Sequence, residues 1–426
     1  MRRMTRRGQF KFSGHRTRER GAVAVVTAIF TAFIVIAALA VSVDVGRITS
    51  ERSQLQNGAD AAAAALASFC ADGSVRCSAD PSVNKLQELA GRNAQDGSAD
   101  LSGGSYGGGS WDPACFHGTL DVPLPGVNCP AGEYVDISNC PPAPDWLTAD
   151  FPYVETRPHT LEKDSTTILP NIFGKALSGA STGDTYRTCA RAAWGSPKSY
   201  SSTVPVTFSM CEWQEFMATT GNVYGDKPVG RPGYGGADQP PWPSANYDQV
   251  IYLANSDKSA PCTKDGRDGP GGFGDVQAPG CQATVSTGGW LVGDNGENIA
   301  SDCKTVLANL RGTVVSIPVF DCLYKLNTTY NGPLPGNDVC DGSGSGGTYN
   351  YHVAGWARFY ISGYSFPGVR SPSYIAATNT SPQGYPCTNS ESCISGWFVK
   401  GELEADAILP PDGSSDYGSY AIVPAG

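Results

Sequence analysis

Charge is scarce in this chain. Lys, Arg, Asp and Glu make up 16% of its 426 residues, against about 25% in an ordinary soluble domain. Histidine is rarer still, with four residues, and no two cysteines are spaced C-x-x-C. The close Cys and His pairs from which zinc sites are built are therefore missing. Cations are outnumbered, 30 Lys and Arg against 40 Asp and Glu, for a net charge of −10. That balance argues against a nucleic-acid partner, which needs a basic surface. Long apolar runs are limited to one, which excludes a multi-span membrane protein. No internal repeat is visible, and 52 Gly with 31 Pro stay below the level of a low-complexity chain. Apolar residues reach 40%, with 8 Trp, 19 Tyr and 15 Phe, enough for a packed core.

What charge there is lies unevenly. Residues 1–20 hold Arg2, Arg3, Arg6, Arg7, Lys11, Arg16, Arg18 and Arg20 against Glu19 alone. Residues 21–43 follow without a charge. As a helix this run is about 35 Å long, enough for a bilayer core of about 30 Å. The positive-inside rule keeps the basic end in the cytoplasm and places everything after Asp44 outside. A secretory signal with Ala38-Leu39-Ala40 as its cleavage site is the competing reading, but the apolar run exceeds the usual 7–15 residues. A buried core helix is disfavoured by the basic flank.

The 14 cysteines agree with export, since all of them follow the apolar run. Their even number fits up to seven disulfides in an oxidising space. The connectivity stays open. Cys70–Cys77, Cys322–Cys340 and Cys387–Cys393 are the plausible local loops.

Residues 44–69 lack proline and are rich in Ala, Leu, Gln and Arg, which continues the helix outward. Val45, Ile48, Leu55, Ala59, Ala62, Leu66 and Phe69 fall on a 3-4 repeat broken by Arg52, a stripe that wants a neighbour. Beyond Asn57 two readings stand, a free stalk and a helix packed on its own domain. A second helix is expected over 81–95. The Gly- and Ser-rich stretch 97–110 reads as a linker. The resulting division is a basic tail (1–20), a transmembrane helix (21–43), a helical stalk (44–96), the linker, and an exterior domain (111–426). In that domain strands are expected at 151–159, 185–193, 203–208, 248–254, 313–320, 349–364 and 394–404. Helices are expected at 165–177, 209–219 and 298–310, and 221–243 is a Pro/Gly loop. The fold class is α+β, loop-rich, disulfide-stapled and mainly antiparallel.

Residues 20–66 resemble the N-terminal segment of the TadE/TadG-like Flp pilus-assembly family. The resemblance rests on Arg20-Gly21-Ala22, the apolar span, Val43-Asp44-Val45-Gly46-Arg47 and Gln54-Leu55-Gln56-Asn57-Gly58-Ala59-Asp60-Ala61, in fixed order. Phrases at 189–197, 204–213, 314–324, 351–364 and 393–400 more loosely resemble longer actinobacterial members. Gly58 departs from the family's usual Ala. The metal motif of a von Willebrand A-type domain, which many TadG relatives carry, is not found; the nearest phrase is residues 255–259. Prepilin peptidase sites place Glu five residues after the cleaved Gly, where this chain has Val26, so an uncleaved anchor is expected. The resemblance implies a non-enzymatic component of pilus assembly or anchoring. Its partners would be other pilus-assembly membrane proteins, met through small residues of the N-terminal helix (Gly46, Ala59, 61–65), and the lipid bilayer. No small-molecule substrate, cofactor or metal is implied.

Motifs with possible chemistry were weighed against chance. Residues 103–107 fit G-x-S-x-G, but in a glycine-rich stretch and not on a strand-to-helix turn. Residues 269–274 fit G-x-G-x-x-G without a preceding strand. Asp265, Asp268 and Asp275 suit calcium by ligand type but not by spacing. His117, His159 and His352 lack an evident nucleophile. Asp321 with Glu402 and Glu404 is the carboxylate set a glycosidase reading would use. Trp194, Trp213, Trp242, Trp290, Trp356 and Trp397 are core residues first and a sugar platform second. An anchored hydrolase of cell-wall or extracellular carbohydrate, and a surface adhesin or glycan-binding module, are the alternatives. Neither yields catalytic, cofactor or metal residues from sequence.

Overall fold

The computed structural model describes residues 16–78, 85–94, 99–101, 104–106, 109–111, 114–117, 143–148, 150–161, 169–170, 183–202, 204–225, 248–252, 273–275, 281–293, 301–325, 349–373, 384–388, 391–410 and 416–426. They open with one helix, α1 (Arg16–Ala71), of 56 residues and about 84 Å. A short second helix, α2 (Leu86–Asn93), packs against its outer half.

The chain then builds three strands of a smaller sheet, β1 (Ala114–His117), β2 (Tyr153–Thr156) and β3 (Ala190–Pro197). It leaves for a larger sheet made of β4 (Val206–Ser209), β5 (Gln249–Tyr252), β6 (Phe273–Asp275), β7 (Val314–Lys325), β8 (Tyr349–Phe366) and β9 (Cys393–Val399). The last strand, β10 (Ser419–Pro424), returns to the smaller sheet. The small sheet runs Gly401–Glu402, β10, β3, β2, β1, and Ile408–Leu409 also pairs with β3. The large sheet runs β5, β9, β8, β7, β4, β6, with three short strands added to β8. Pairing is antiparallel except β4–β7, Asp416–Tyr417 on β8, and Gly401–Glu402 on β10. The fold is therefore α+β and mainly antiparallel.

The large sheet is covered on both faces. Helices α3 (Met210–Thr220) and α4 (Ser301–Leu310) lie over one face. There Phe208, Phe359 and Phe398 meet edge-on, with ring centres 4.9–6.0 Å apart, and Phe216 of α3 reaches Phe398 at 5.3 Å. Each such aromatic pair adds about 0.5–1.5 kcal/mol beyond its burial. Helix α3 starts at Ser209, whose side chain accepts from the Cys211 amide, and stops at Gly221 with φ 70°. Both ends follow ordinary capping chemistry.

The smaller sheet is covered by α1 itself. Leu55, Ala59, Ala62, Ala63 and Leu66 of α1 join Leu86 and Ala90 of α2, Phe116, Val154, Ala192 and Trp194 in one buried core. Of the two readings open beyond Asn57, the helix packed on its own domain is the one found. The small residues expected to receive partner helices are corrected accordingly: Ala59, Ala62 and Ala63 are spent inside the chain, while Ala64 remains exposed.

Other expectations shift as well. The strand expected at 185–193 runs instead over Ala190–Pro197, because pairing with β10 and with Ile408–Leu409 outweighs the turn signals of Gly195 and Pro197. In the helix expected at 165–177 the described residues, Leu169–Pro170, form a strand with Gly183–Asp184; the rest lies outside the described residues. The stretch expected as a linker contains a hairpin, Gly104–Tyr106 with Gly109–Trp111. Just before it, Ala99 and Leu101 are buried in the α1 core, and Gln87 holds them by accepting from the Leu101 amide and donating to the Ala99 carbonyl. Two of the three local disulfides are present, Cys70–Cys77 and Cys387–Cys393, and Cys281–Cys303 adds a longer one. Cys322 is disulfide-bonded too; Cys340 lies outside the described residues. Residues 79–84 and 226–243 likewise do.

Gly58 marks the crossing of α1 and α2. A Cβ placed there would stand 2.9 Å from the Ala90 carbonyl oxygen, a backbone atom that cannot swing away. This explains why a glycine stands here where a helix would favour alanine. Gly58→Ala should gain about 1 kcal/mol of helix propensity and lose about 1–3 kcal/mol to overpacking. Thermal unfolding should show a lower midpoint for the variant; an equal or higher midpoint would refute the crossing argument.

Candidate functional site

The functional feature the chain presents most clearly is α1 and the clamp that grips it. From Gly21 the helix has a window of mean hydropathy 2.7, and none of that window is buried in the protein. Large side chains such as Phe30, Phe33, Ile34 and Leu39 are exposed by 61–68%. Exposure of that many neighbouring apolar groups to water would be prohibitive, at roughly 25 cal/mol per Å². By length and composition the helix can cross a membrane. Thr27, Thr31 and Ser42 return their hydroxyls to the carbonyls of Val23, Thr27 and Ala38 at 2.8 Å. No hydroxyl of these three is left for hydrocarbon to desolvate.

Beyond the apolar span, polar contacts fix the helix to the body. Gln56 donates to the Cys189 carbonyl at 3.1 Å, and Thr156 of β2 donates to the Ala59 carbonyl at 2.9 Å. Ser68 hydrogen-bonds the Tyr420 side chain of β10, and Arg52 stands 5.2 Å over the Tyr186 ring. The helix then ends at Ala71, where Cys70–Cys77 closes the turn.

Under this clamp, on the opposite face of the small sheet, lies a buried ion network. Glu155 of β2 is fully buried and directly opposite Arg191 of β3, whose Nε reaches its carboxylate at 2.6 Å. Arg157 donates to the other oxygen, also at 2.6 Å. Burial alone would push the Glu155 carboxyl up; the hydrogen bonds and charges of Arg191 and Arg157 outweigh it and hold the group below its ordinary 4.5. His117 stacks on Tyr153 at 4.2 Å. Burial lowers its affinity for a proton, and Glu155 only partly offsets this against the two arginines.

The remaining candidates from sequence scatter. His159 pairs with Asp100 at 3.1 Å and helps bolt 99–101 to the body. His352 of β8 meets Asp321 of β7 at 2.6 Å, beside Trp290. That pair is 31 residues apart in sequence and was not foreseen as a unit; the signal available was its place on adjacent paired strands. Gly104–Tyr106, the middle of the G-x-S-x-G match, is a hairpin strand, so the strand-to-helix turn is lacking there. Asp265, Asp268, residues 255–259 and 269–272, and Trp242 lie outside the described residues; Asp275 ends β6. Trp356 and Trp397 are fully buried and Trp194 is buried against α1, which makes them core residues. Trp290 is half-exposed. Glu402 and Glu404 line one wall of a cleft of about 680 Å³, and Asp321 is not among the residues lining it. Among the described residues no group of three or more His, Cys, Asp or Glu could hold a metal ion.

Comparison with known proteins puts a class on the helix. The family described as "Putative Flp pilus-assembly TadE/G-like" matches residues 21–68. The match covers the exposed apolar span and the clamped half of α1, and stops three residues before the helix does. The N-terminal segment of this chain is thus similar to the TadE/G-like kind, which supports a pilus-related membrane component. No curated protein and no solved structure matches the chain.

The ion network predicts an acid limb of stability. Because the Glu155 carboxyl titrates lower when folded than when unfolded, its contribution is full above 4.5 and is lost as pH falls below that value. Glu155→Gln should cost about 3–5 kcal/mol at neutral pH by stranding Arg191. It should also flatten the dependence of unfolding free energy on pH between 5 and 3. Urea titrations at several pH values check both; an unchanged slope would remove Glu155 from the account.

Proposed function

We propose that the chain is a membrane-anchored, non-enzymatic component of Flp-type pilus assembly or anchoring. Its basic end lies in the cytoplasm and its disulfide-stapled body outside. The observation that carries this reading is the coincidence of the TadE/G-like match with one continuous helix whose first part is unburied and whose second part is built into the body's core. The excess of arginine before the span supports the orientation, and the bonded state of every described cysteine supports an oxidising exterior.

The rest of the reading concerns how partners meet the anchor. On a wheel of 100° per residue, Ala24, Thr27, Thr31, Ala38, Ser42 and Gly46 share one side of the span. Asp60 and Ala64, two of the exposed residues of the clamped half, continue that side outward. Most large side chains lie off this side, Val35 and Val45 excepted. Small residues let helix backbones approach closely in lipid, where packing and not the hydrophobic effect drives association. This small-residue side is open along the span and at Asp60 and Ala64; further out Ala67 and Ala71, on the same side, are buried in the body. This face replaces the alanines 59, 62 and 63 as the place for pilus-assembly partners.

Ala38→Trp and Ser42→Trp are expected to cut co-purification of pilus-assembly membrane proteins at least tenfold while the body's thermal midpoint stays unchanged. Ala62→Trp should instead lower that midpoint. Equal co-purification by wild type and both span variants would count against the helix face. Protease protection of a tag at residue 1, with the body digested from outside in spheroplasts, checks the orientation.

A further inference from the structure

The molecule has a second concave feature that the anchor does not use. It is a cleft between a separate two-stranded ladder and the segment that follows the small sheet's edge. One wall is the antiparallel ladder of Ser199–Ser201 with Thr284–Ser286. The other is the segment that leaves the small sheet at Glu402 and carries Glu404 and Asp406. The volume of about 680 Å³ lies within the range of roughly 300–1,000 Å³ typical of ligand sites. We propose that this cleft binds a hydroxyl-rich organic cation, an amino-sugar oligosaccharide.

The two walls differ in what they ask of a ligand. Ser199, Ser201 and Thr284 offer hydroxyls, and Gln282 offers an amide; these groups donate and accept. The Ser201 and Thr284 hydroxyls bond each other at 2.6 Å, which fixes them as one rigid pair with capacity left for a third partner. The carboxylates of Glu402, Glu404 and Asp406 only accept when ionised. A ligand that satisfies both walls must bring donors to one side and hydroxyls to the other. A sugar chain bearing ammonium groups does so.

Three further observations shape the ligand. The carboxylates line one cleft, yet they do not converge tightly enough to count as a metal-holding group. A bare divalent ion needs six to eight oxygens within about 2.6 Å, so the spread suits a charge carried on a larger frame. Burial and the neighbouring Glu404 push the Glu402 carboxyl up, with Arg358 opposing; a ligand ammonium placed between the two glutamates relieves their repulsion. The floor is supplied by Tyr200, half-exposed and locked edge-on against the fully buried Trp356 at 5.4 Å. A tyrosine held by its edge keeps a face for the apolar side of a sugar ring.

The inference is independent of the pilus reading, since it rests on the body alone. The test uses the full chain in lipid nanodiscs and isothermal titration with the β-1,4-linked glucosamine tetramer. Wild type should bind it, and the fully N-acetylated tetramer should bind at least tenfold more weakly because its charge is gone. Glu402→Gln with Glu404→Gln should weaken the glucosamine tetramer at least tenfold. Thr284→Val, on the facing wall, should weaken it several-fold, and it stands in should the double variant fail to fold. Absence of wild-type binding overturns the proposal. So does equal affinity for the acetylated tetramer. Tetralysine binding as tightly as the sugar, undiminished by Thr284→Val, overturns it too, since the cleft would then be a bare cation-exchange surface. Failure of any of these leaves the anchor reading standing.

Discussion

One helix in this protein has to satisfy two solvents, and the rest of the structure is arranged around that demand. Along residues 21–43 every large side chain points away from the protein, which is tolerable only in hydrocarbon. Twelve residues further on, Leu55 is fully buried in the protein's own core. No break separates the two regimes; α1 runs through both. A rigid helix therefore couples whatever happens in the bilayer to the small sheet, with no loop to absorb rotation or tilt.

The coupling needs a grip that is polar as well as apolar. Alanines provide close approach but little buried area each, about 0.8 kcal/mol per methyl-sized group. The structure supplements them with backbone-directed hydrogen bonds from Gln56 and Thr156. Beneath the sheet, Glu155 and Arg191 cross-link β2 and β3 where the helix bears on them. A buried pair of this kind adds little net stability, because desolvation takes back much of the attraction. Its effect is on register: a one-residue slip between β2 and β3 would strand both charges and turn Val154 and Ala192 away from α1. Cysteine links then hold segments whose glycine and proline content leaves them little core of their own.

Much of this was legible in residue order. The span, the basic flank, the helix continuing past Asp44, the family signature and two local disulfides all follow from local pattern. The long strands β7, β8 and β9 follow from aromatic and β-branched runs bounded by turn residues. What escaped was whatever depends on contact between distant segments. The 3-4 stripe of α1 announces that it needs a neighbour but not which one; only the fold shows that Trp194 and Val154 fill the role. The segment 97–110 looks free because glycine and serine dominate it, yet Ala99 and Leu101 are enough to dock its start. Gly195 and Pro197 carry turn chemistry and are overridden by pairing with β10 and with Ile408–Leu409. The Asp321–His352 contact and the cleft around Glu402 arise from strand pairing across long loops, and no local spacing encodes either.

Gly58 ties these threads together. Judged by helix propensity it is a defect, costing about 1 kcal/mol against alanine, in the middle of a helix that must stay continuous. Judged by packing it is required, since the Ala90 carbonyl occupies the place of its missing Cβ. The helix can carry that defect because it is not held by propensity: both neighbours of the site, Leu55 and Ala62, are sealed in the core. The sequence signature that identifies the anchor and the single residue that departs from it thus have separate causes. The apolar part of the signature suits the bilayer, and the departure serves the body this particular chain carries.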